Sequence, residues 1–197
     1  MEKRGPWTVT SKAKVFENPF LELHTYDGIR PDGAPGIYGV MSPKSFAILV
    51  LPIFADGTTM LVGQHRFPLD NYSWEIPEGG SPKRVPPLEG ARRELREETG
   101  LSAASWLEIL QAETSNSLTD EQAFGFLAWN LTEGEQELDG TEVIERKRLP
   151  FLAALDMAMS GEIRDLPSVA MLLKAHYMAQ TGRLDAELAH AMLGQGG

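Results

Sequence analysis

Residues 79–101 read GGSPKRVPPLEGARRELREETGL, and within them the run Arg93-Glu94-Leu95-Arg96-Glu97-Glu98-Thr99-Gly100-Leu101 decides the fold. Pro86 and Pro87 suit the first positions of a helix, where a missing N–H costs nothing, and Gly100 suits a left-handed stop just past its end. A helix of about three turns is predicted between them. At about 100° per residue, Leu88, Ala91 and Leu95 share one side and can pack, while Glu94, Glu97 and Glu98, at i, i+3 and i+4, converge on another. Unit charges about 4 Å apart repel by roughly 4 kcal/mol at an effective dielectric of about 20, so the bare patch is unfavourable. A hard divalent cation removes the repulsion. Carboxylate oxygens with retained waters suit Mg²⁺, and also Mn²⁺, and such ions are commonly shared with substrate phosphates.

On this run alone the competing reading is a solvated helix face laced with i,i+4 pairs. The wider spacing counts against it. Gly79 is followed after five residues by position 85, and after seven more by Arg-Glu-Leu-x-Glu-Glu-x-Gly-Leu. This resembles the Nudix box, with Gly79, Arg93, Glu94, Leu95, Glu97, Glu98, Gly100 and Leu101 matching and Val85 standing where the pattern has Glu. In that family the missing Glu supports the helix as a partner of the box Arg, so the departure bears on Arg93 more than on the metal ligands. The resemblance implies Glu94, Glu98 and Glu97 as metal ligands, with a backbone carbonyl from Glu78 or Gly79, and makes Arg93 and Glu97 catalytic candidates.

The flanks narrow the resemblance. Gln64-His65-Arg66-Phe67-Pro68, then Trp74-Glu75-Ile76-Pro77-Glu78-Gly79-Gly80, is similar to the branch that cleaves ADP-ribose and related nucleoside diphosphate sugars, over about Trp7 to Ala175. That branch implies an Arg on the diphosphate, here Arg66, whose planar fork suits phosphate, although a surface arginine at a strand end would read alike. Trp74, Glu75 and Tyr38 complete the substrate-binding candidates; the two aromatics can stack a base or simply sit in a core. Relatives of this branch carry a Pro in the loop that here spans Glu113 to Glu121, and this loop has none, which leaves the preferred base and sugar open. Glu121 either reaches towards the metals or is a solvated loop acid. Since metal-bound carboxylates are poor proton acceptors, the general base is expected outside the box, with Glu142 first and Glu137 and Asp139 in reserve.

The fold class this implies is α/β: a Nudix-type α/β/α sandwich around a mixed sheet, plus an N-terminal antiparallel sheet. Residues 1–42 are assigned to that sheet and to homodimer formation, 43–182 to the hydrolase domain, and 183–197 to a tail with a weakly helical stretch and a frayed, Gly-rich end. Phe46 to Ile53 is a short continuous apolar run, as a strand covered on both faces would be, and Asp56-Gly57 predicts a hairpin into Thr59–Gln64. Asp27-Gly28 and Arg30 to Gly36 read as turns, Leu131 to Gly140 as an acidic loop, Glu142 to Arg146 as the entry to a last strand, and Phe151 to Tyr177 as two helices separated by Gly161 and Pro167.

Composition bounds the function. A chain of 197 residues, 42% hydrophobic, can bury one ordinary core. It has no cysteine, which excludes disulfides, thiolate metal sites and a Cys nucleophile, and fits a cytoplasmic setting. No apolar run approaches about 18 residues and the N-terminus lacks a hydrophobic signal core, so a protein without membrane contact is expected. A net charge of −10 argues against a nucleic acid polymer as partner. An acidic chain that handles a phosphate ester needs cations to bridge the two. The expected reaction is Mg²⁺-dependent hydrolysis of a nucleoside diphosphate sugar; a triphosphate pyrophosphohydrolase, a Nudix-fold binding module and a purely structural acidic protein are the alternatives.

Overall fold

The structure, a computed structural model, describes residues 1–137 and 143–194. Its centre is strand β5 (Ser45–Pro52), flanked by β8 (Glu78–Pro82) on one side and by β10 (Gln122–Glu133) on the other, with β9 (Leu101–Glu113) outside β10. β10 runs parallel to β5, with Phe126 opposite Val50, whereas β8 and β9 are antiparallel to their neighbours, so the sheet is mixed. The apolar run of β5 is continuous because both faces are covered. Ile48 and Val50 meet Ala91 and Leu95 of helix α1 (Pro87–Thr99), and Leu49, Leu51 and Ile53 join a second core that holds Phe151, Met171 and Leu172. Leu95 is fully buried, and emptying such a site typically costs about 2–5 kcal/mol. Helix α1 is therefore fixed against the sheet through its apolar side.

Helix α1 starts where expected, behind Pro86, and stops at Gly100 (φ 73°), whose N–H bonds Arg96 O at 2.8 Å. Strand β6 (Thr58–Arg66) departs from expectation: it is not the hairpin partner of β5 but the middle strand of a second sheet, between β7 (Asn71–Glu75) and β11 (Glu145–Pro150). The turn at Asp56-Gly57 does form, with Gly57 N–H on Phe54 O, but the two strands meet at an isolated bridge between Ile53 and Thr59 and do not continue as a ladder. Pro52 ends the pairing, since it has no N–H to give and its carbonyl accepts Thr59 Oγ1 at 2.8 Å.

The N-terminal antiparallel sheet runs in the order β1 (Glu2–Arg4), β2 (Trp7–Glu17), β3 (Leu21–Ile29), β4 (Pro35–Pro43). Asp27 and Gly28 lie inside β3, correcting the turn expected there; a Cβ on Gly28 would come 2.7 Å from Thr8 O, so this glycine serves close approach of strands. The reversal falls within the second stretch of turn chemistry, as expected there, with Gly33 N–H bonding Arg30 O. Two further boundaries move. Leu131 to Glu133 end β10, paired with β9, rather than opening a loop, and β11 begins at Glu145.

Helix α2 (Phe151–Ser160) ends at Gly161, and α3 (Leu166–Gln180) carries Pro167 in its own first turn, where proline is tolerated. The weakly helical stretch expected in the tail is α4 (Ala186–Met192), N-capped by Asp185, and it is docked more firmly than expected, with Leu188, Ala189 and Met192 buried in the core. Among the described residues no helix is long and apolar enough to cross a membrane.

Candidate active site

The site is the contact between the acidic face of α1 and the chain corner from Glu75 to Gly80. Burying Leu95 turns Glu94 (7% exposed) and Glu98 (3%) towards that corner and leaves Glu97 at its edge. Glu98 accepts the backbone N–H of Glu78 at 2.9 Å. Glu94 lies so close to Gly79 that a Cβ there would stand 2.3 Å from its Oε2. Both carboxylates thus border the backbone of Glu78 and Gly79, an all-oxygen donor set that fits a hard divalent cation. The same closeness explains a glycine at 79 on grounds of space alone.

Arg93, left in doubt by Val85, has other partners: it donates to Gly80 O at 2.8 Å, to Glu94, and to Glu97 at 3.3 Å. It ties the helix to β8 and runs along the acidic patch. Val85 itself closes a turn, N–H to Pro82 O.

Arg66, at the end of β6, is clasped from two sides. Its Nε meets both Glu75 oxygens at 3.0 Å, and Nη2 reaches Glu75 and, at 2.7 Å, Glu78. Burial works against the guanidinium charge, but Glu75, Glu78 and Asp165 outweigh it and hold its pKa above the ordinary value. Glu75 is 2% exposed, so its side chain is turned to Arg66 and not to solvent. Glu78 is the unusual group. Burial, with the negative charge of Asp165, Glu75 and Glu98, pushes its carboxyl well above the carboxylate range, and Arg66 offsets only part of this. Its Oε2 is buried without a partner among the described residues.

Two members of this cluster escaped the sequence reading, the side chain of Glu78 and the whole of Asp165. Oxygens of Glu75, Glu78 and Asp165 lie within 4.8 Å of one another, enough for a cation to be shared. Asp165 arrives from far along the chain as the N-cap of α3, accepting Ser168 N–H at 2.8 Å, while Ser168 Oγ takes Ile76 N–H at 3.0 Å. The pattern Asp165-Leu-Pro-Ser168 was a visible helix start. Nothing in it told which strand corner the helix would meet.

The remaining candidates are dispersed. Tyr38 donates to Ser117 O at 2.8 Å and packs edge-on against Trp7, beside a cavity of about 320 Å³ that Tyr26, Asn116 and Thr119 also line. Trp74 lies against Tyr72 and the core, with Lys147 over its ring at 5.0 Å. Glu121 accepts Thr114 Oγ1 at 2.8 Å within its own loop. Glu137 pairs with Arg96 at 3.2 Å. Glu142 and Asp139 lie outside the described residues. A hollow of about 760 Å³ between Phe54, Trp129, Arg148 and Leu188 holds none of these residues.

Comparison with known proteins follows the same geometry. Residues 43–169 match the NUDIX domain. An ADP-ribose pyrophosphatase of Bacillus subtilis (strain 168) is 32% identical over 157 residues, 79% of this chain and 84% of that protein. An ADP-ribose pyrophosphatase of Mycobacterium tuberculosis (strain ATCC 25618 / H37Rv) is 30% identical over 148 residues, 72% of each chain. A solved structure described as an ADP compounds hydrolase superposes with a TM-score of 0.80 at 19% identity, over 93% of this chain and all of the other, and so shares the fold. With the box complete but for Val85 and the domain match covering more than half its length, the chain belongs to the Nudix family.

Proposed function

We propose that this protein hydrolyses the diphosphate bond of a nucleoside diphosphate sugar, of the ADP-ribose, ADP-glucose or GDP-mannose type, giving a nucleoside monophosphate and a sugar phosphate. The observation that carries the reading is the buried pair Glu94 and Glu98 closing on the backbone of Glu78 and Gly79. Two relatives that are ADP-ribose pyrophosphatases support the substrate class. Glu94, Glu98 and Glu97, with a backbone carbonyl of Glu78 or Gly79, would hold Mg²⁺ or Mn²⁺. Bound there, the ions would activate a water and neutralise charge on the diphosphate. Arg93 keeps the acidic face oriented, and Arg66, with Nη1 not needed for its bonds to Glu75 and Glu78, offers a cation to the diphosphate. Glu142 is assigned as the general base on sequence grounds.

A cytoplasmic homodimer completes the reading. The N-terminal sheet leaves Phe16 53%, Phe20 77% and Ile37 73% exposed, apolar surface that a second copy would cover. The test is a phosphate-release screen: nucleotide sugars and nucleoside triphosphates are each supplied with Mg²⁺, and products are treated with phosphatase. Phosphatase-dependent phosphate from a nucleotide sugar supports the assignment, and pyrophosphate released from triphosphates alone would replace it with the triphosphate activity.

A further inference from the structure

A helix leaves its last four carbonyls without partners in its own ladder, and in α1 these belong to the turn that carries Glu97 and Glu98. Arg96 O is met by Gly100 N–H at 2.8 Å. The other three are met by residues further along the chain, two just after β10 and one on β11: Glu97 O by Glu137 N–H (3.1 Å), Glu98 O by Gln136 Nε2 (2.5 Å), and Thr99 O by Arg146 Nη1 (2.7 Å). Arg96 also pairs with the Glu137 carboxylate at 3.2 Å, and a Cβ on Gly100 would lie 2.6 Å from Gly134 O, so the two backbones touch. Arg146 adds a positive charge where the helix dipole is negative.

Water would satisfy these carbonyls equally well if only their hydrogen bonds mattered. What water would not do is fix the rotation of the last turn about the helix axis, which sets where the Glu98 carboxylate meets Glu78 N–H. We infer that Gln136 and Arg146 are positioning residues for the metal site: by capping the carbonyls of Glu98 and Thr99 they hold the ligand turn of α1 in its metal-binding pose. The inference rests on the proposed role of the box glutamates as ligands. Coupling of this kind is reciprocal, so a metal on the box must in turn tighten the docking of residues 134–137.

The experiment titrates Mn²⁺ alone, without substrate, into the wild type and single variants, following binding by electron paramagnetic resonance. Gln136→Ala and Arg146→Ala should weaken Mn²⁺ binding about three- to tenfold, the effect of one lost hydrogen bond. Arg146→Lys, which keeps a cationic donor, should recover most of that loss. Arg148→Ala is the control: Arg148 sits on the same strand but pairs with Asp56 and Glu133 rather than with a carbonyl of α1, and its loss should leave Mn²⁺ binding unchanged whatever it does to stability. In the wild type, Mn²⁺ should slow hydrogen exchange at the Glu137 amide, a readout that needs no variant to fold. Wild-type affinity in both alanine variants, an equal loss in Arg148→Ala, or exchange at Glu137 indifferent to Mn²⁺ would each overturn the inference. Failure of the underlying assignment shows differently, as wild-type Mn²⁺ binding that survives the combined change of Glu94 and Glu98 to Gln.

Discussion

The Glu94 carboxylate presses against the backbone of Gly79, 2.3 Å from where a Cβ would stand. The clash in Gly79→Ala is with the far end of a side chain, so Glu94 must swing away while the backbone stays. We expect about 1 kcal/mol lost in stability and a much larger loss at the metal site. A ligand that binds only the folded state adds about 2.7 kcal/mol at a hundredfold excess over Kd, a rise of roughly 5–10 °C in Tm for a chain of this size. Millimolar Mg²⁺ should produce such a rise in the wild type and little of it in Gly79→Ala or Glu98→Gln. A full rise in Gly79→Ala would separate the Gly79 contact from metal binding.

Glu78 gives a prediction in pH. Burial, then Asp165 and Glu75, raise its folded pKa well above the carboxylate range. A group whose folded pKa is raised contributes stability that is present below the unfolded pKa, about 4.3 for Glu, and lost as pH rises through the folded value. In the presence of a chelator, the difference in Tm between Glu78→Gln and the wild type should therefore move in favour of the variant from about pH 4 to neutrality. Curves that stay parallel across that range would show Glu78 ionising without cost.

Val85 is the one departure from the box, and the three bonds of Arg93 to Gly80, Glu94 and Glu97 make its missing carboxylate dispensable. Val85→Glu should change stability by no more than about 0.5 kcal/mol, the ordinary scale for partly exposed positions, and leave kcat within a few-fold. A gain of several orders of magnitude from a near-inactive start would show the natural chain to be a binding module.

What was legible in the sequence follows a physical divide. The box helix could be read because its caps, apolar side and acidic side are all encoded within fifteen residues, Pro86 to Gly100. β5 could be read because a strand covered on both faces is apolar throughout. The partner of β6 could not, since a turn at Asp56-Gly57 predicts a reversal and says nothing of which sheet the returning strand joins. Asp27-Gly28 misled because a glycine that admits a neighbouring strand looks the same as one that turns the chain. Asp165 and Gln136 reach the site from 87 and 38 positions beyond Glu78 and Glu98, respectively, and local patterns do not report such meetings.

The general base is a proposal that rests on the resemblance, in whose branch the base comes from a loop near the last strands. Carboxylate lone pairs committed to a cation are poor proton acceptors, which removes the box glutamates. Glu137 is weakened as a reserve because Arg96 holds its carboxylate. Glu142 then stands first, on sequence grounds, and removal of a general base typically costs about 10²–10⁴-fold. Glu142→Gln should lower kcat by that range with KM and the Mg²⁺-induced rise in Tm nearly unchanged. A fall below about threefold would dismiss Glu142 and turn attention to Asp139.

Arg66 has two roles to separate, since it neutralises Glu75 and Glu78 and is also assigned to the diphosphate. Removing it leaves Glu75, 2% exposed, as a buried charge without its cation, a change that typically costs about 3–5 kcal/mol for a fully buried pair and less here because Arg66 is 35% exposed. Arg66→Met alone therefore confounds lost structure with lost binding. Pairing it with Glu75→Gln removes the stranded charge, and the double variant should regain most of the stability. If Arg66 were only a structural counter-ion, activity would return as well. Because we assign its remaining donor to the substrate, KM of the double variant should stay about tenfold or more above that of Glu75→Gln, the effect of one charge-assisted hydrogen bond, while the Mg²⁺ response returns to normal. Equal KM values in the double variant and in Glu75→Gln would confine Arg66 to its ion pairs.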